Sequence, residues 1–203
     1  MLTSRVWNGK GVSPFKVNVD CLPDGKKGDY EVSHFLIKRN DPFFCAIETP
    51  SGRYVRLTHK GSVVMSDTFM ERRTNSVFCD TAHGDVLVGG LGIGLVLMDI
   101  QDSPAVDSIT VVEKSQDVID LIAPHLPLNG KVNIICGDVW SFDPGEDRYD
   151  VVYMDIWEFI NSDVYEDEML PLKERYRHFL KASNEAYVAC WAEEEAENNE
   201  RLF

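Results

Sequence analysis

Between residues 85 and 155 four short runs, Asp85–Gly89, Ser108–Glu113, Lys131–Cys136 and Tyr149–Asp155, are rich in β-branched residues and almost unbroken in apolar character. Runs of that length without polar alternation suit strands buried on both faces, the situation of a parallel sheet. Helix-compatible stretches separate them. Leu95–Ile100 is one; Gln116–Ala123 is another, with Ser115 placed as its N-cap and Pro124 at its end. Strands alternating with helices predict an α/β domain whose sheet is mostly parallel. Further on, the pattern predicts a helix over Val164–Lys181, with Pro171 at a break or a first turn. It then predicts a fifth strand over Ala186–Trp191 and a charged helical tail over Glu193–Glu200.

Residues before 67 read differently. Candidate strands are Phe15–Cys21, Tyr30–Lys38, Phe43–Glu48, Tyr54–His59 and Ser62–Ser66. Turn chemistry lies between them: Pro-Asp-Gly at 23–25, Pro-Ser-Gly at 50–52 and Lys60-Gly61, the last joining a hairpin. Asp67 is placed to cap a helix running to about Thr81.

The loop after the first buried strand is Gly90-Leu91-Gly92-Ile93-Gly94. Glycines at that point permit a tight turn and bring a ligand close to the backbone near a helix N-terminus. The spacing is G-x-G-x-G; a dinucleotide loop needs G-x-G-x-x-G/A, and the sixth position from Gly90 is Leu95. An acid follows each of the next three strands. Glu113 is placed to accept hydrogen bonds from both hydroxyls of a ribose, and Asp138, in Ile-Cys-Gly-Asp-Val, to accept an adenine exocyclic amine. Asp155 faces the space outside the strand ends where an open α/β sheet binds its ligand. There it would bind an ammonium group or act as base toward a substrate amine. Each acid has a plainer reading, as a solvated strand end or a turn cap; their arrival in order, one per strand, makes the ligand-binding reading specific.

Residues from about 61 to 159 resemble the class I S-adenosylmethionine-dependent methyltransferases. More narrowly they resemble the spermidine synthase-like branch and small methyltransferase-like proteins of bacteriophages. The segments that carry this are Val63-Val-Met-Ser-Asp-Thr, Val86-Leu-Val-Gly-Gly-Leu-Gly-Ile-Gly, Val111-Val-Glu-Lys, Cys136-Gly-Asp-Val and Tyr149-Asp-Val-Val-Tyr-Met-Asp. Val88 stands where many methyltransferases carry an acid, an absence shared with the spermidine synthase-like branch. The resemblance implies a Rossmann-like, mostly parallel sheet, a shortened methyltransferase fold, over residues 67–203, preceded by a small β-rich subdomain over 1–66. It implies S-adenosyl-L-methionine as cofactor. Gly90, Leu91, Gly92 and Gly94 would shape the loop beneath it; Glu113 would hold the ribose and Asp138 the adenine, and Lys114 and Val139 would also belong to the cofactor site. Met65, Ser66 and Asp67, from the hairpin and helix start that precede the sheet, would touch its methionine end. Asp155 would bind cofactor and serve catalysis, with Trp157 and Glu158 bordering the acceptor.

Departures from the family patterns shape the reaction expected. Aminopropyltransferases place an aspartate within the glycine loop to hold decarboxylated cofactor; here that position is Ile93. Their D-S/T-x-D-P signature is Asp155-Ile-Trp-Glu158-Phe in this chain, and neither N-P-P-Y nor a Pro-Cys nucleophile occurs. Methyl transfer to a small or amine-containing acceptor is therefore the first expectation. Aminopropyl transfer and non-catalytic cofactor binding are the alternatives. Charge agrees with a cationic small-molecule substrate: residues 1–60 hold ten Lys/Arg against six Asp/Glu, a surplus of +4, so with −14 overall the remainder carries −18. Nucleic acid is not expected as a partner, since phosphate binding needs clustered positive charge. The five cysteines and five histidines are scattered without metal-ligand spacing, so no metal is expected; Cys136 and Cys190 read as buried thiols. No apolar run reaches the roughly 18 residues of a membrane span, and no export signal is evident. The cytoplasm is the expected location, that of the host for a phage protein. The N-terminal strands are the expected contact of a homodimer.

Overall fold

Two sheets organise the chain. The computed structural model describes residues 19–39, 49–200 and 202. The first sheet is antiparallel and four-stranded: β1 (Gly25–Lys27), β2 (Tyr30–Ile37), β3 (Gly52–His59) and β4 (Ser62–Ser66), adjacent in that order. Lys60 and Gly61 both take positive φ, 51° and 86°, which is how a two-residue connection matches strand twist in the β3–β4 hairpin. The expected strand over Phe15–Cys21 is not formed in its described part, since Val19–Cys21 is a single 3-10 turn; the remainder, and the strand expected over Phe43–Glu48, lie outside the described residues. Pro-Asp-Gly at 23–25 was expected as turn alone, yet Gly25 opens β1.

Helix α1 (Phe69–Thr81) leads into the second sheet, which holds β5 (Gly84–Gly89), β6 (Val106–Glu113), β7 (Val132–Cys136), β8 (Val151–Met154) and β9 (Tyr187–Cys190). Their order is β7-β6-β5-β8-β9 and every neighbouring pair is parallel, the Rossmann-like pattern expected from sequence. Helix α2 (Leu95–Ile100) connects β5 to β6, and α3 (Gln116–Ile122) connects β6 to β7. Ser115 caps α3 as expected, its side chain accepting from the Val118 amide. Asp67 does not cap α1: Thr68 holds the N-cap position, because the Asp67 carboxylate is drawn instead to the Val55 amide at 2.7 Å and to Arg72 at 3.0 Å. After β8, α4 (Ser162–Val164) widens into a π turn over Tyr165–Met169 and continues as α5 (Leu170–Arg177), with Pro171 in its first turn. Proline has no amide to donate to Asp167 four residues back, so the ladder loosens just before it. The tail helix α6 is shorter than expected, Glu193–Glu197.

Side chains of the central strands divide cleanly between two cores. Val86 and Val88 of β5 join one with Ile109, Val111, Val151 and Tyr153; Leu87 joins the other with Val112, Val152 and Met154. That is the period-two alternation of strands covered on both faces. The first core continues into the N-terminal sheet through Val32, Val55 and Leu57. The second is closed by Met169, Leu172 and Tyr176. Both faces of β7 were expected to be buried, but it is one of the sheet's two edge strands and only half-buried. Cys136, at its end, is exposed, a correction to the buried thiol expected there; Cys190 ends the other edge strand, β9, and is buried in the second core. Among the described residues no helix is long and apolar enough to cross a membrane.

Candidate functional site

Strand order reverses between β5 and β8, and a cleft of about 350 Å³ opens there beyond the strand ends. The ladder continues past the strands. Gly90 N–H donates to Val112 O at 2.9 Å, Asp155 N–H to Gly89 O at 2.8 Å, and Gly137 N–H to Glu113 O at 2.9 Å. These bonds put the glycine loop and the three acids at one level, and Gly90, Gly92, Glu113, Asp138 and Asp155 all line the cleft.

Glu113 is 9% exposed and works in two directions: Oε2 accepts from the Leu91 amide at 2.8 Å and Oε1 from the Ser115 amide at 2.8 Å. Each oxygen keeps a second lone pair for a ligand hydroxyl. Asp138 accepts from the Trp140 amide at 3.0 Å and pairs with Lys114 at 2.9 Å. The Lys114 contact, first, and the Trp140 amide hold its carboxyl below the usual range. Lys114, Val139 and Trp140 line the cleft beside it.

Two glycines have requirements set by the protein itself. At Gly90, φ is 93° and a Cβ would lie 2.2 Å from the Asp155 carbonyl oxygen; at Gly92, φ is 51° and a Cβ would lie 2.2 Å from Met65 Sδ. Met65 Sδ also accepts the Ile93 amide at 3.4 Å, so the β4 methionine is the seat on which the loop rests. Gly94 N–H turns back to Leu91 O at 2.9 Å. With the Leu91, Ile93 and Gly94 amides engaged inside the chain, three donors of the loop are turned away from a phosphate.

Electrostatics point the same way. Six carboxylates line the cleft, Glu71, Glu113, Asp138, Asp155, Glu158 and Glu168, against Lys114 as the one Lys or Arg among its described lining residues. A diphosphate would be repelled there and a cation drawn in. Burial pushes the Asp155 carboxyl up to about 7. Glu71 is pushed up to about 8, by burial first and then by the charge of Asp155, against the opposing effect of the Ser66 amide bonded to it.

Other expected residues divide. Trp157 is in the wall, its Nε1–H donating to Glu168 Oε2 at 2.8 Å, and Glu158 is at the mouth, 3.9 Å from His59 Nδ1. Met65 reaches the cleft. Ser66 does not; it lines a neighbouring groove and shares a 2.9 Å hydrogen bond with Thr68. Asp67 lines neither, being committed to Val55 and Arg72. Leu91 and Gly94 serve the loop rather than the cleft wall: Leu91 is buried and ties to Glu113, and a Cβ on Gly94 would lie 2.2 Å from Leu126.

Glu71, Tyr30, Glu168 and Trp191 were not foreseen as site residues. For Glu71 a signal existed: the buried stripe of α1 is Glu71, Arg72, Asn75 and Phe78. Polar residues at core-facing helical positions mark either a paired network or a site.

No family model matches the chain, and no curated protein does. Among solved structures it is similar to the CcbJ methyltransferase from Streptomyces caelestis, 25% identical, with a TM-score of 0.43 over 56% of this chain and 45% of that one. It is similar also to the N-methyltransferase NodS from Bradyrhizobium japonicum WM9, solved with S-adenosyl-L-homocysteine: 14% identical, TM-score 0.45, over 57% of this chain and 59% of that one. For the plantazolicin methyltransferase BpumL with the same ligand the figures are 22%, 0.41, 56% and 42%. The chain thus spans 42–59% of the length of these proteins. At such TM-scores the likeness decides nothing about chemistry, which rests on this chain's own residues.

Proposed function

We propose that the chain binds S-adenosyl-L-methionine in the cleft and transfers its methyl group to a small, amine-containing acceptor. The observation that carries this reading is the cleft's combination of six acidic side chains with a glycine loop whose Leu91, Ile93 and Gly94 amides are already engaged. That combination suits a cationic adenosine-bearing ligand without phosphates. Glu113 would take the ribose hydroxyls with its remaining lone pairs. Asp138 would take the adenine amine once Lys114, whose exposed ion pair holds it only weakly, gives way. Trp140 would stand beside the base, and Met65 would support the loop under the methionine end. The cofactor supplies an activated methyl group, so the protein's share is alignment and exclusion of water. Asp155, held near neutrality by burial, is suited to accept a proton from an acceptor nitrogen, with Trp157 as a wall.

Isothermal titration with S-adenosyl-L-methionine and S-adenosyl-L-homocysteine tests the reading; absence of binding by the wild-type chain at millimolar ligand overturns it. Aminopropyl transfer is the second reading, favoured by the seating of Met65, from the hairpin, under the glycine loop, and by Glu158 at the mouth beside Asp155; it goes with placement in the spermidine synthase-like branch, including phage proteins. Incubation with putrescine and either cofactor separates the two by mass gain. Binding with no modified acceptor in a broad lysate would favour the non-catalytic alternative. A homodimer through the N-terminal sheet and a cytoplasmic setting complete the proposal, the former open to light scattering.

A further inference from the structure

A second, larger hollow of about 910 Å³ adjoins the cleft. Val64, Met65, Glu71, Glu158 and Trp191 line both, so they form a neck between them. Past the neck apolar side chains, Phe35 from β2, Val63 from β4, Met70 from α1, and Phe159 and Ile160 after β8, share the lining with polar ones that include Ser66, Thr68, Asn161 and Asn199. Phe159 and Val63 are 68% and 53% exposed, an unusual state for large apolar side chains side by side in one groove. Beyond the neck the charged members among the described residues are Arg56 and Glu200, which leave that stretch without net charge.

Glu71 is the feature that gives the groove a direction. It is 6% exposed, lines the neck, and no Lys, Arg or His among the described residues pairs with it. Arg72 next to it is committed to Asp67. A carboxylate so placed, receiving only the Ser66 amide, lacks the cation that buried acids ordinarily have.

We propose that the groove is the acceptor site and that its occupant is a monoamine with an apolar body, which lies along Phe35, Val63, Met70, Phe159 and Ile160 while its ammonium group enters the neck and pairs with Glu71. The ammonium passes one proton to Asp155, freeing the nitrogen lone pair to take the methyl group as the cofactor's sulfonium becomes a thioether. This deepens, and rests on, the reading of the inner cleft as the cofactor site. A volume near 900 Å³ suits a ligand of drug size. A polyamine is disfavoured because a second ammonium would gain little. Glu158, the neck's other acid, is 53% exposed and lies 3.9 Å from His59 Nδ1, and beyond the neck Arg56 and Glu200 cancel.

The test uses n-hexylamine, 1-hexanol and putrescine as probes, followed by tryptophan fluorescence (Trp191 in the neck, Trp157 in the cleft) and by calorimetry, with S-adenosyl-L-homocysteine titrated separately. Hexylamine is expected to bind at least tenfold more tightly than either comparator, and Glu71→Gln to erase its advantage over hexanol. Phe159→Ala, at a position 68% exposed, is expected to weaken hexylamine at least threefold and leave the S-adenosyl-L-homocysteine titration unchanged. Hexylamine binding no tighter than hexanol, or an advantage that survives Glu71→Gln, overturns the proposal. S-adenosyl-L-homocysteine binding without hexylamine binding removes this inference and leaves the cofactor reading standing. The converse removes the cofactor reading and leaves an amine site.

Discussion

The Leu91 amide donates to Oε2 of Glu113 at 2.8 Å, so the first turn of the glycine loop hangs from the end of the neighbouring strand. The Ser115 amide holds the other oxygen. Glu113→Gln would face one of these two amides with an NH2 group, leaving a buried donor unmade. The expected cost is about 1–3 kcal/mol in urea unfolding, with at least a tenfold loss of S-adenosyl-L-homocysteine affinity by calorimetry. Unchanged stability would mean that the loop is held by other means.

Met65 and Gly92 form a second dependent pair. Gly92→Ala would place a Cβ 2.2 Å from Met65 Sδ at a φ of 51°. Loss of about 2–3 kcal/mol is expected, of which roughly 1 kcal/mol is the backbone's own. In a Met65→Ala background only that backbone part should remain, so a double-mutant cycle reads a coupling of about 1 kcal/mol or more.

Raised carboxyl values at Glu71 and Asp155 set a pH dependence whose sign is fixed. Both groups hold protons in the folded chain at pH values where the unfolded chain has released them. Their contribution is therefore intact below about pH 4, erodes as pH climbs, and is fully lost above about 8. Glu71→Gln should raise stability at pH 5 by less than about 1 kcal/mol and at pH 9 by about 4–5 kcal/mol. Urea midpoints at the two pH values check this; a gain at pH 5 equal to that at pH 9 would contradict it.

The α1–β8 contact positions those two acids. Tyr153 OH donates to Asn75 Oδ1 at 2.8 Å, Asn75 Nδ2–H donates to Glu71 O at 3.0 Å, and the Tyr153 ring stacks on Phe78 with centroids 3.9 Å apart. Tyr153→Phe keeps the stack and leaves Asn75 short of a donor. It should cost about 1–2 kcal/mol in thermal or urea unfolding, and an unchanged midpoint would show that Asn75 finds another partner.

How much was legible from sequence follows from what each signal depends on. Strands β5, β6 and β8 were readable because burial on both faces imposes apolar character at every position. Ser115 was readable because capping is a local bond to Val118. Asp67 misled because its partners are set by the fold: Val55 lies twelve residues away on β3, and nothing local announces that it would outcompete the helix amides. Cys136 misled because an apolar run says nothing about which sheet edge is covered: β7 and β9 are both edges, and only Cys190, on β9, packs into the second core. Glu113, Asp138 and Asp155 were found since strand ends in an open sheet converge on one place. Glu71 was missed, because the helix from Asp67 to about Thr81 was read for its cap and its apolar positions, and no ligand contact was sought beyond its first residue.

The engaged amides of Leu91, Ile93 and Gly94 carry a kinetic consequence. Their ordering entropy is lost when the chain folds, not when a ligand arrives. A ligand therefore meets a loop already in its final shape, and association is expected as a single, concentration-linear phase with no slow rearrangement after it. Differences in affinity among ligands of this cleft would then reside in how long each stays.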